Sequence, residues 1–222
     1  ALLSLDEAST MFHEIGHAIH GLLSQCKYYS LSGTSVARDF VELPSQILEN
    51  WVMEPEMLAK YAFHYKTGEV IPQELIEKLK AAGTFNQGFA LAEYLAAATL
   101  DMDYHTLKDV KNLDIEKFEK ESMAKIGLIS EIAPRYRSTY FGHIFDGGYS
   151  SGYYSYMWAE VLDADAFEAF KETGNIFNKE VATAFKSNIL EKGGTIEPMI
   201  LYKQFRGSEP KIEPLLKRKG IL

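Results

Sequence analysis

His13, Glu14 and His17 fall within five residues of one another in the segment "TMFHEIGHAIHGLL", Thr10 to Leu23. On a helix turning about 100° per residue, the two histidines lie about 40° apart around the axis and about 6 Å apart along it. Both imidazoles can therefore reach one ion, and neutral imidazole nitrogen suits Zn2+. Glu14, about 60° beyond His17 on the same broad face, is better placed to hold a water than to ligate. This is the H-E-x-x-H arrangement of a zinc hydrolase; the competing reading is a buried helix that happens to carry three polar residues. A hydrolytic site also needs a third protein ligand, with one position left open for water and substrate. Glu42, flanked by Phe40, Val41 and Leu43, is a carboxylate that would be costly to bury unpaired. Glu49, two turns further on, is the other candidate, either as a ligand or as an acceptor for an imidazole N–H. His20 continues the stripe but sits about 10 Å from His13 along the axis, and reads as a packed or supporting histidine.

These residues need rigid elements to carry them. Ser4-Leu5-Asp6-Glu7 has the S-x-x-E form of a capping box, so a helix is expected to begin there. Met11, Phe12, Ile15, Ala18, Ile19, Leu22 and Leu23 recur at helical spacing, which carries the motif on a helix of about five turns ending near Gln25. The stretch "KYYSLSGTSVARDF" reads as short strands or an irregular connection, with at most a small sheet. A second helical pattern opens at Asp39 as N-cap, with Glu42 three residues on and Pro44 disturbing its first turns. Further helical patterns follow in "IPQELIEKLKAA", "FNQGFALAEYLAAATLDMDYHTL", "IEKFEKESMAKIG", "YYSYMWAEVLDADAFEAFKETG" and "KEVATAFKSNIL". The expected class is mainly α. "HIFDGGYSSGYY" stands apart, because glycines and serines interleave with tyrosines in the manner of a functional loop.

Composition narrows the partners. The formal charge of −8, with no basic cluster longer than "LLKRKG", argues against nucleic acid. The most apolar stretch, "GFALAEYLAAATL", is broken by Glu93 and stops at Asp101, so no membrane span is expected. The single cysteine, Cys26, excludes an intrachain disulfide and reads as a small buried hydrophobe. "ALLSLDEAST" runs directly into a helix pattern without an initiator Met or a basic leader, so the chain is expected to continue a longer polypeptide. A cytoplasmic setting is the expectation.

Four segments in order, "FHEIGHAIHGLLSQ", "SGTSVARDFVELPSQILENW", "APRYRSTYFGHIFDGGYSSGYYSYMW" and "FRGSEPKIEPLL", resemble the thimet oligopeptidase family, peptidase family M3, on its bacterial peptidyl-dipeptidase branch. The resemblance runs nearly end to end. It implies a helical, zincin-like metallopeptidase catalytic domain, with residues 1–222 forming the C-terminal portion of a longer enzyme whose upstream helical region completes the substrate channel. It implies one Zn2+ held by His13, His17 and Glu42, Glu14 as general base, and Glu49 supporting a ligating histidine from behind. His143 and Tyr156 would donate to the developing oxyanion, Tyr149 would contact substrate and Tyr153 would line the cleft. The substrates would be short peptides, cleaved to release C-terminal dipeptides or, alternatively, cut internally; a zinc- or peptide-binding fragment without turnover is the alternative of another class. If dipeptides are released, Arg135 and Arg137 are expected to receive the substrate's terminal carboxylate, since guanidinium matches a planar anion. Asp146 stands where the resemblance implies a small residue, and a carboxylate there would stiffen the loop or disfavour acidic substrates.

Overall fold

Ser4 caps the first helix as its sequence predicts: its Oγ accepts from the Glu7 N–H at 3.2 Å, and the Ser4 N–H donates to Glu7 Oε2 at 2.8 Å. The computed structural model describes residues 2–222. Its helices are α1 (Leu5–Leu22), α2 (Leu43–Glu49), α3 (Pro55–Tyr61), α4 (Gln73–Gly83), α5 (Gln87–His105), α6 (Ile115–Lys125), α7 (Gly142–Phe145), α8 (Ser155–Lys171), α9 (Lys179–Phe185), α10 (Pro198–Arg206) and α11 (Glu213–Arg218). Among the described residues the β-structure is one isolated bridge, Phe63 to Val70, so the protein is mainly α and the small sheet allowed for beside the motif does not form. "KYYSLSGTSVARDF" instead makes a 3-10 turn, Tyr29–Leu31, and bends.

The second helix begins three residues later than Asp39 as its N-cap implies. Tight turns precede it, with the Phe40 N–H donating to Ala37 O at 2.9 Å and the Leu43 N–H to Phe40 O at 3.2 Å. Helix α2 then opens with Pro44 in its first turn, where a missing N–H costs nothing. Glu42 thus becomes the residue at the helix entrance rather than one within it.

The chain divides into two compact units, Ala1–Phe85 with Met157–Leu222, and Asn86–Tyr156. In the first, Phe12 of α1 and Leu43 and Ile47 of α2 pack with Trp51, Phe167, Phe170 and Tyr202 in one apolar core. Gly16 explains how closely α1 approaches α2: a Cβ at that position would lie 2.3 Å from Pro44 O and 2.5 Å from Ser45 Cα. In the second unit, Ala97 and Ala98 of α5 pack with Phe141, Ile144 and Tyr153, and Ala96, Leu100 and Met123 join α5 to α6. No helix is long and apolar enough to cross a membrane among the described residues.

Candidate metal centre and aromatic cluster

Helix α1 presents His13 and His17 one turn apart, and the entrance of α2 meets them. His13 Nε2 lies 3.3 Å and His17 Nε2 3.2 Å from Glu42 Oε2. The three side chains form a group whose ligand atoms all lie within 4.8 Å of one another. Glu42 is only 2% exposed, and Ser45 Oγ donates to its Oε2 at 2.9 Å and to its main-chain oxygen at the same distance. Two imidazole nitrogens and a carboxylate oxygen, converging on one point beside a buried anion, are the donor set a zinc site with an open fourth position uses. The residues therefore fit the ion.

Glu49, at the end of α2, completes this arrangement. His13 Nδ1 lies 2.6 Å from Glu49 Oε1, which leaves Nε2 to face Glu42. Ser9 Oγ donates to the other Glu49 oxygen at 3.4 Å. Burial works against a charged His13, but the hydrogen bonds to Glu42 and Glu49 outweigh it and raise its pKa to about 9. Such a pocket favours a cation. His17 Nδ1 has no comparable partner, so the two histidines are supported unequally. Glu14 is exposed on α1 between them in sequence. His20 is fully buried, and burial followed by the nearby His17 lowers its pKa to about 4. It packs as a neutral side chain and takes no part in the group of three.

The remaining sequence-predicted residues gather in the second unit. His143, on the short helix α7, has its ring 5.6 Å from that of Tyr153, 6.1 Å from Tyr149 and 6.3 Å from Tyr156. Tyr149 and Tyr156 stack at 5.1 Å with 20° between planes. Tyr153 is 3% exposed, and burial holds its phenol above the usual tyrosine range. Tyr136, which sequence reasoning passed over, stacks on Phe141 at 5.2 Å and touches His143 at 4.7 Å.

Arg135 and Arg137 differ in their surroundings. The Arg137 guanidinium donates through Nε to the buried Glu119, which also accepts from Ser138 N–H at 2.8 Å and Ser138 Oγ at 2.7 Å. Arg135 is more exposed, lies over the Tyr136 ring at 5.9 Å, and approaches Glu93 at 3.9 Å. Asp146 caps α7, its N–H donating to Gly142 O at 2.8 Å with its residue exposed.

The model of "Peptidase family M3" matches residues 1–221. The chain belongs to peptidase family M3. It is 43% identical over 223 residues to a dipeptidyl carboxypeptidase of Escherichia coli, covering 100% of this chain and 33% of that protein. It is 42% identical over 228 residues to oligopeptidase A of the same organism, again covering 100% of this chain and 33% of that one. Saccharolysin of Saccharomyces cerevisiae is 37% identical over 225 residues, with 31% of its length covered. The M3 chain thus spans about a third of the length of the curated relatives it matches.

Proposed function

We propose that this chain is the zinc-binding catalytic portion of a longer peptidase that hydrolyses short peptides and releases C-terminal dipeptides. The observation that carries the reading is the convergence of His13 Nε2 and His17 Nε2 on the buried Glu42 carboxylate. His13, His17 and Glu42 would hold the zinc, which when bound would supply Lewis acidity to a peptide carbonyl and to water. Glu14 takes the proton of the attacking water and returns it to the leaving amine. Glu49 keeps the His13 imidazole in one tautomer and one orientation by accepting from Nδ1. His143 and Tyr156 donate to the oxyanion that develops at the scissile carbonyl, while Tyr149 contacts the substrate and Tyr153 lines the cleft. The upstream helical region of the longer enzyme is proposed as the partner that limits access to short peptides.

Dipeptide release requires recognition of a terminal carboxylate, and we assign it first to Arg135, because the Arg137 Nε is already engaged by Glu119. Relatives named dipeptidyl carboxypeptidase, at 43% and 42% identity, and oligopeptidase A, at 42%, stand equally near, so the products decide between the two specificities. A product ladder on one long peptide, read by mass spectrometry, tests it: successive losses of two residues are expected, and internal cuts would replace the proposal with an endo-acting oligopeptidase. Arg135→Ala should impair free-acid peptides more than amidated ones. Glu14→Gln should retain zinc and lose turnover; full turnover in that variant would overturn the mechanism, and zinc uptake without turnover in the unaltered chain would indicate a binding fragment.

A further inference from the structure

Ser151 adopts φ +55°, a left-handed conformation that a serine enters only at a cost, in the loop between α7 and α8. Its N–H donates to Asp101 Oδ1 at 2.9 Å, and the N–H of Tyr153 donates to Asp101 Oδ2 at 2.9 Å. Asp101 lies on α5 and is 0% exposed. His105, one turn on, bonds through Nδ1 to the main-chain oxygen of Asp101 at 2.9 Å, with Oδ1 2.8 Å from the same nitrogen. A buried carboxylate of this kind is stable only with several donors, and here two of them are loop amides.

The second backbone group of Tyr153 is held from the same helix, since the Tyr94 hydroxyl donates to its carbonyl. Tyr94 and Asp101 are seven residues apart, two turns along one face of α5. Both polar backbone groups of Tyr153 are therefore fixed by α5, and its ring, 3% exposed, has little freedom left. That ring lies 5.6 Å from His143 and 5.4 Å from Tyr156.

We propose that Asp101 is a positioning residue: its carboxylate clamps the Ser151–Tyr153 backbone and, through the Tyr153 ring, holds His143 and Tyr156 where they donate to the oxyanion. The proposal rests on the roles given to His143 and Tyr156 above. Asp101 touches no reacting atom. Its effect belongs to the transition state, because donors displaced by a fraction of an ångström still admit substrate but no longer meet the developing charge.

Asp101→Asn keeps the shape and removes one acceptor oxygen. In the zinc-loaded full-length enzyme it should lower kcat about 10- to 100-fold, leave KM within about twofold and leave zinc content unchanged, at a temperature where circular dichroism reports a folded chain. Imidazole 15N shifts of His143 should move while those of His13 and His17 stay. Ser151→Gly, which takes positive φ freely, should recover part of the lost kcat when combined with it. Should Asp101→Asn not fold, His105→Ala removes a single donor and is expected to shift kcat in the same direction, by a smaller factor. An unchanged kcat per bound zinc, or unmoved His143 signals, would overturn the clamp. Tyr156→Phe separates the two readings: if it leaves kcat intact, the oxyanion role fails, whereas if it lowers kcat and the Asp101 variant does not, only the clamp fails.

Discussion

Glu49 shows how one side chain decides what another can do. An imidazole offers two nitrogens, and whichever is hydrogen-bonded to an anion is the one that carries the proton, leaving the other available to a metal. With His13 Nδ1 at 2.6 Å from Glu49 and Nε2 turned to Glu42, Glu49 is placed to keep the Nδ1 proton when an ion displaces the one on Nε2. Glu49→Gln keeps the length and loses the charge, so zinc affinity should fall about 10- to 100-fold, measured by competition with a chromogenic chelator, while the helix content stays unchanged. Equal affinity in the two proteins would mean that Glu49 does not orient His13. The Glu42 and Glu49 choice was only partly legible in the sequence. Spacing made both carboxylates candidates, and what separates them is three-dimensional: Glu42 is buried at the mouth of α2 against both histidines, whereas Glu49 reaches only the far nitrogen of one. His20 was legible by its distance along α1, and its complete burial bears that out.

At the scale of elements, the metal centre depends on how near α1 lies to α2, and Gly16 sets that separation. Any side chain there meets the main chain of Pro44 and Ser45, which cannot swing away as a side chain would. Gly16→Ala should therefore push Glu42 away from His13 and His17, costing about 1–3 kcal/mol and weakening zinc binding together. Gly21→Ala on the same helix is the control: nothing lies within 4 Å of its Cβ, so it should stabilise by up to about 1 kcal/mol and leave zinc binding alone. Thermal melts with zinc titrations check both. The sequence identified α1, its capping box and the helices α4, α5, α6, α8 and α9, because caps and periodicity are local signals, whereas the short α7 lies in a stretch read as a loop. It did not show the role of Gly16 or the late start of α2, because each is settled by what the backbone meets across space. Asp101 escaped notice for the same reason, although a D-x-x-x-H spacing within a helix pattern was the available sign that Asp101 and His105 share a face.

The molecule as a whole is held by buried carboxylates in each of its two units, and these give them different sensitivities. In the first, Asn50 Nδ2 and Arg218 of α11 both donate to Asp163, which is 1% exposed, so the C-terminal helix is tied to α8 and the end of α2. In the second, burial tends to raise the pKa of Glu119, but the Ser138 N–H and hydroxyl and the Arg137 guanidinium outweigh it and hold it below the usual glutamate value of 4.5. A carboxylate more acidic folded than unfolded stabilises fully above its unfolded pKa, and that contribution drains as pH falls through the folded value. Residues Asn86–Tyr156 should thus lose amide-exchange protection as pH drops below about 4.5. Glu119→Gln should be flat over that window and less stable near neutrality by about 1.5–3 kcal/mol. The relatives are about three times as long as this chain, and helix α1 leaves Met11 and Ile15 more than 40% exposed on the side turned away from His13 and His17. A helix that is apolar on its exposed side is expected to be covered, and in an M3 enzyme the preceding region is the proposed cover. The two assignments separate in one experiment. The 222-residue chain should take up one zinc through His13, His17 and Glu42, since all three ligands lie within its first unit, yet hydrolyse peptides far more slowly than a version carrying the preceding region. Zinc content and peptide turnover measured on both chains give the answer, and equal turnover would show that these residues suffice for catalysis without the cover.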